Sequence, residues 1–274
     1  LYRTDGTEAG TTLVKDINPN LTGSGIPFSS APSRMTPAQD IIYFVAIDGE
    51  HGMELWRTDG TTAGTVLVKD ISEGASSTNF YQMKTFDNNI LVFVADDGVN
   101  GRNLWISLGT AQTTYMLTDF TEGEGDSGIE ILEGWTQPGN PDSFLYFTIK
   151  ESFRRRLWKT NGNPGNAQLV EGFGANGSNI RGHTIFQDTL YFVEGSSLWK
   201  AKGGTEERVT EGISVNGSEF ASFNGRLYFV GNQGGGGKGL WKTDGTTEGT
   251  SLVREITSAS FQDIDNLLDR KSVV

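Results

Sequence analysis

The sequence predicts an all-β chain made from one repeated four-stranded antiparallel unit. Three observations carry this: a motif that returns along the chain, a β-rich run before each internal copy, and an excess of glycine. LYRTDGTEAGTTLVKDI opens the chain at Leu1, LWRTDGTTAGTVLVKDI returns at Leu55 and LWKTDGTTEGTSLVREI at Leu240. Weaker copies start at Leu104, Leu157 and Leu198. Successive starts lie 41 to 54 residues apart, the spacing of units holding four strands each. Gly is 37 of 274 residues and Pro only 7. Gly at about twice ordinary usage with so little Pro excludes collagen and Pro-rich linker, and leaves tight turns as its use.

Each unit reads in the same order. A first strand ends near Phe86, Phe186 or Phe223. A turn signal follows, such as Asp87-Asn88-Asn89 or Asn224-Gly225, the dipeptide most diagnostic of a hairpin. The second strand is IIYFVA (41–46), ILVFVA (90–95), FLYFTI (144–149), TLYFVE (189–194) or RLYFVG (226–231). These are β-branched and aromatic runs of strand length. The third strand carries Leu-Trp, the fourth is LVKDI or its relative, and TDGTxxGT joins them. No sustained period near 3.6 appears, so almost no helix is expected.

Five complete units are expected at about 31–71, 80–119, 129–171, 181–213 and 219–256. Half units stand at 1–17 and 260–268. Antiparallel units repeated radially leave few exposed edges, so the expected architecture is a β-propeller. It would have about six blades, one shared by the N- and C-terminal parts. The last residues, Asp269 to Val274, break the pattern. Their back-translation, GAT CGG AAG AGC GTC GTG, resembles a sequencing-adapter read. Residues 269–274 are therefore expected to be a non-biological tail on a fragment, the alternative being a degenerate last strand.

The LWRTDGT and LWKTDGT copies, followed by LVKD or LVRE, resemble the ELWxxDGT repeat family over residues 1–256. The likeness is specific in Leu1–Ile17, Glu54–Ile71 and Leu240–Ile256. It weakens where Leu108, Asn161 and Lys202 stand in the Asp position. The resemblance implies a propeller-like fold, an extracellular or cell-surface location and no assigned catalytic residues.

Composition narrows the chemistry. There is no Cys, which removes disulfides, thiolate metal sites and a Cys nucleophile. With only His51 and His183, a multi-His zinc site is not expected. A net charge of −12 argues against nucleic acid as a partner. No apolar run approaches the ~18 residues of a membrane helix.

The repeated turn residues Asp5, Gly6, Thr7, Asp59, Gly60, Thr61, Asp244, Gly245 and Thr246 read as architecture. Asp accepts backbone N–H groups across the turn, and Gly supplies a positive φ. The alternative is a ligand or calcium site in every blade. Candidate ligand residues sit elsewhere, on the loops joining strand two to three and strand four to the next strand one. Trp135 lies off the repeat, in a first strand or at its end, and could contact a ligand. Arg154, Arg155 and Arg156 form the one dense basic cluster and could hold an anion, or form a solvated hairpin tip. His51 stands beside two carboxylates in the 48–52 loop. Glu122, Glu124 and Asp126 alternate with Gly; such oxygen ligands suit calcium, the alternative being a solvated acidic loop. No other cofactor is expected.

The functional expectation is a non-enzymatic binding or structural module of a secreted or surface protein. It would engage a protein or glycan on the loop face. A lectin-like propeller and a glycosidase-type hydrolase with paired carboxylates are the alternatives.

Overall fold

The computed structural model describes residues 1–86, 89–119, 128–132, 144–151, 154–173, 180–217, 219–234 and 237–255. The half repeat expected at 260–268 and the tail 269–274 lie outside them. Every regular element among the described residues is a strand. The chain divides into two compact units, Leu1–Ile131 with Gly162–Ala167, and Leu132–Asn161 with Gln168–Val274.

In the first unit, Tyr2–Arg3 pairs with Thr12–Leu13 as a two-stranded half sheet. A four-stranded sheet follows, ordered Ser33–Pro37, Ile42–Ile47, Met53–Thr58, Val66–Lys69. The next is ordered Asn79–Phe86, Ile90–Asp96, Arg102–Ser107, Thr114–Met116. In the second unit, Leu145–Glu151, Arg154–Thr160 and Gln168–Leu169 lie side by side. Beyond them, Ile180–Phe186, Thr189–Glu194, Ser197–Lys202 and Thr205–Arg208 form another four-stranded sheet. The final sheet holds Arg226–Gln233, Gly239–Thr243 and Ser251–Glu255. Sheet order follows chain order with antiparallel neighbours throughout, the strand order of a β-propeller blade.

The last sheet departs from the expected unit boundary. Its first-strand position is divided between Ile213–Val215 and Ala221–Phe223, both paired with Arg226–Gln233. Ile213 was expected to end the unit 181–213; it begins the following sheet instead. Ile213 and Val215 are buried among Val193 and Leu198 of the preceding sheet as well as Phe229 and Trp241 of their own, so backbone pairing with Arg226–Gln233 decides the boundary.

The Leu-Trp pair explains how sheets stack. Neighbours on a strand point to opposite faces. Leu55 packs with Tyr43 and Val45 against Leu91, Phe93 and Trp105 of the following sheet. Trp56 packs with Phe44 and Ala46 against Leu1 and Ile17 of the preceding half sheet. Tyr146 and Leu157 meet Leu190, Phe192 and Trp199 in the same way. Each sheet is thus apolar on both faces, which is why its second strand reads as a continuous hydrophobic run.

The DGT turns are closed by their own side chains. Asp59 Oδ1 accepts the Thr61 N–H at 2.8 Å and the Thr61 hydroxyl at 2.7 Å. Thr61 Oγ1 in turn accepts the Gly64 N–H at 2.9 Å. The same bonds recur at Asp5, Thr7 and Gly10 and at Asp244, Thr246 and Gly249. Flanking hydroxyls tie the strand ends together, Thr58 to Thr65 at 2.7 Å and Thr250 to Thr243 at 2.8 Å. The first glycine takes φ of +92° at Gly6, +86° at Gly60 and +96° at Gly245. The second glycine is required by space: a Cβ at Gly64 would stand 2.1 Å from the Asp59 carboxyl.

Candidate functional site

Among the described residues of the first unit, a set of ionisable and loop-ordering groups surrounds Glu54. Glu54 lies on the strand Met53–Thr58 with no exposed surface, between Met53 and Leu55. Its strand neighbours turn toward the hydrophobic stacks, while its carboxyl turns toward the loop after Lys69. Glu54 Oε2 accepts the Ile71 N–H at 2.9 Å. Oε1 accepts the Ser72 N–H at 3.1 Å and the Thr78 hydroxyl at 2.7 Å. The strand also holds this loop by its backbone: the Thr78 N–H donates to Met53 O, and the Met53 N–H to Ser77 Oγ, both at 3.0 Å. Ser72 Oγ then donates to Asp97 O at 2.9 Å, tying in the hairpin of the next sheet. Burial pushes the Glu54 carboxyl up to about 7 against the pull of its three donors, with the Asp70 charge adding to the rise.

The 48–52 loop completes the array. Asp48 Oδ1 accepts the N–H groups of Glu50 at 2.8 Å and His51 at 2.9 Å. Asp48 Oδ2 lies 2.8 Å from His51 Nδ1. That hydrogen bond, with the Asp48 charge, raises the His51 pKa. Burial works against the Asp48 carboxylate, yet the N–H groups of His51 and Glu50 and the His51 ring hold it below its usual value. Close approach fixes the loop's position. A Cβ on Gly52 would come within 2.2 Å of Ser76 O, and Gly52 takes φ +66°. In the 96–101 hairpin, Asp97 Oδ1 accepts from Val99 and Asn100, and Asp96 Oδ1 from Gly98. The result is three cross-linked loops bearing Asp48, Glu50, Asp70, Glu73, Asp96 and Asp97. Against these stand His51 and Arg102, whose guanidinium lies 3.5 Å from the Tyr81 ring centre. The array therefore carries strongly negative charge on an ordered frame.

Of the residues singled out from sequence, His51 belongs to this array. Trp135, Glu122, Glu124 and Asp126 lie outside the described residues. The arginines open the strand Arg154–Thr160, in register with Leu145–Glu151, with Arg154 opposite Glu151 and Arg155 opposite Lys150. Consecutive strand residues alternate faces, so Arg155 and Arg156 point to opposite sides of the sheet. Arg155 donates to Thr148 Oγ1 at 3.0 Å; the Arg154 side chain lies outside the described residues. Glu54 was not singled out. Its signal was a carboxylate directly before the buried Leu-Trp pair of a strand, which demands a buried set of donors. Among the described residues no group of three or more His, Asp or Glu could hold a metal ion. No helix there is long and apolar enough to cross a membrane.

No family model matches the chain, and no curated protein matches it. Solved structures share the fold at low identity. One, from a study of two prolyl endopeptidases, is 12% identical with a TM-score of 0.46, covering 84% of this chain and 37% of the other. A puromycin hydrolase is 12% identical with a TM-score of 0.46, covering 94% and 42%. An oligogalacturonate lyase in complex with manganese is 14% identical with a TM-score of 0.46, covering 85% and 67%. The chain spans well under two thirds of the peptidase chains. These likenesses concern the β-propeller fold alone. The expectation of a non-enzymatic module is corrected here: the similar solved structures are mostly peptidases, and no positive observation supports a non-enzymatic role.

Proposed function

We propose that the loop array around Glu54 is a recognition face for a cationic polypeptide segment, within a protein at the cell surface or outside the cell. The observation that carries this reading is the anchoring of three acidic loops to one another through Glu54, Ser72 and Gly52. An anchored array spends little ordering entropy when a partner docks. Its carboxylates attract Lys- and Arg-rich segments and steer their approach. The repeat resemblance supports the location. The reading concerns recognition and assigns the intact protein neither a reaction nor the lack of one.

The test is binding of a Lys/Arg-rich peptide, an acidic peptide and a neutral peptide to the full chain, at low and high salt. The basic peptide should bind best, and weaken as salt screens the charges. Glu50→Gln with Glu73→Gln, both exposed positions, should weaken it severalfold while leaving the fold intact. Equal binding of all three peptides, or no effect of the double variant, would sink the proposal.

A further inference from the structure

A second place in the molecule has the makings of a ligand site. In the second unit a cavity of about 440 Å³ lies beside the sheet Ile180–Arg208, bordered by the Asp244-Gly245-Thr246 turn. Cross-strand register explains its lining. Tyr191 stands opposite Lys200, and Lys200 opposite Glu207. In the next row but one on that face, Lys202 stands opposite Thr205. Alternate strand residues share a face, so both lysines project to the same side.

The preceding sheet shows what normally fills such a space. There Tyr146 stands opposite Lys159. Lys159 reaches forward to Gly204 O at 2.6 Å and Glu206 Oε1 at 3.1 Å of the following sheet. Lys200, by contrast, pairs with Glu207 on its own sheet at 2.9 Å. The space ahead of it stays open. Tyr191 does reach forward, its hydroxyl lying where a Cβ on Gly245 would come within 2.1 Å.

Two departures from the repeat coincide at this spot. Lys202 occupies the position held by Asp in the strong copies, and the turn shrinks to Gly203-Gly204, with φ +58° and +78°. Trp199 pairs with Arg208 nine residues on, whereas Trp56 pairs with Leu67 and Trp241 with Leu252, each eleven residues on. The shorter turn makes room, and the exchanged residue changes the sign of the charge.

The charges around the cavity set what would fit. Asp244 is already engaged by the Thr246 N–H and hydroxyl and by Arg226. Glu207 is paired with Lys200. Among the described residues the Lys202 ammonium meets only Gln187 O, at 3.4 Å. One positive charge is left over, beside the Tyr191 hydroxyl; the Thr189 and Thr205 hydroxyls already donate to Gln187 O and Lys202 O.

We propose that this cavity binds a small oxyanion, a carboxylate, phosphate or sulfate, with Lys202 supplying the charge and the Tyr191 hydroxyl a hydrogen bond. Lysine holds such anions as a point charge, and hydroxyl donors orient their oxygens. The site is independent of the acidic array, which lies in the other unit and would repel the same ligand.

The test is titration of the full chain with inorganic phosphate and with citrate at constant ionic strength, followed by backbone amide NMR. Saturable shifts at Thr189, Thr205 and Gly245 are expected with at least one of them. Phosphate binding would indicate a bare anion, and citrate alone an anion carried on an organic body. Lys202→Glu, at an exposed position, should weaken binding about tenfold or more. Lys69→Glu, in the other unit, should leave it unchanged. Shifts that stay linear to about 50 mM anion, or equal affinity in Lys202→Glu, would overturn the proposal.

Discussion

Replacing Glu54 by Gln tests the central residue of the acidic array through its proton. The native carboxyl titrates near 7 because it is buried, against an ordinary value of 4.5. In the pH interval between those values the native chain binds a proton that the unfolded chain does not. Stability from this group is therefore fully present below about 4.5 and is lost as pH rises through about 7. The interval of 7 − 4.5 = 2.5 units, at about 1.4 kcal/mol per unit, corresponds to about 3 kcal/mol. Gln has the shape of the protonated acid and no charge to bury, so Glu54→Gln removes this slope. It also turns an amide N–H₂ toward at least one of the donors Ile71, Ser72 and Thr78, a cost that does not depend on pH. Urea unfolding of both chains, followed by tryptophan fluorescence between pH 5 and 8, separates the two effects. The variant should gain about 2–3 kcal/mol on the wild type across that range, whatever the offset between them. A difference that stays flat with pH would refute the reasoning, as would a Glu54 carboxyl carbon titrating near its ordinary value.

Two further outcomes follow from the turns and loops. Gly64→Ala places a Cβ 2.1 Å from the Asp59 carboxyl, whereas a Cβ on Gly60 meets nothing within 4 Å and suffers only its φ of +86°. Gly64→Ala should therefore cost about 2–3 kcal/mol and Gly60→Ala about 1; equal losses in thermal melting would show that the Asp–Thr turn bonds contribute nothing. His51 should titrate above 6.5 in the wild type and fall in Asp48→Asn; a His51 NMR titration unmoved by that change would remove the Asp48 contact as its cause.

Local chemistry explains why so much of the architecture was legible. The strands could be read because β-branched and aromatic runs alternate with turn dipeptides. The DGT turns could be read because their bonds span two to four residues, from Asp59 to Thr61 and from Thr61 to Gly64 and Thr65. Glu54 was not legible as a site, since its partners lie 17 to 24 residues away across a sheet and a loop. A dense basic run looks like a patch in one dimension, while strand alternation puts Arg155 and Arg156 on opposite sides of their sheet. Ile213 was placed in the wrong sheet because an apolar residue between two units packs equally well with either until the stack is built.

By itself, then, the sequence determined the all-β class, the order of strands within each sheet and the design of its turns. These depend on short-range hydrogen bonds and on hydrophobic runs that any four-stranded blade must have. Only the tertiary structure decided which side chains became sites. Burial turned Glu54 from a strand carboxylate into the anchor of the loop after Lys69. A turn two residues shorter turned Lys202 from a flawed motif position into the wall of a cavity. In both cases the deciding quantity is the distance to groups on another sheet or loop, which packing sets and local sequence does not.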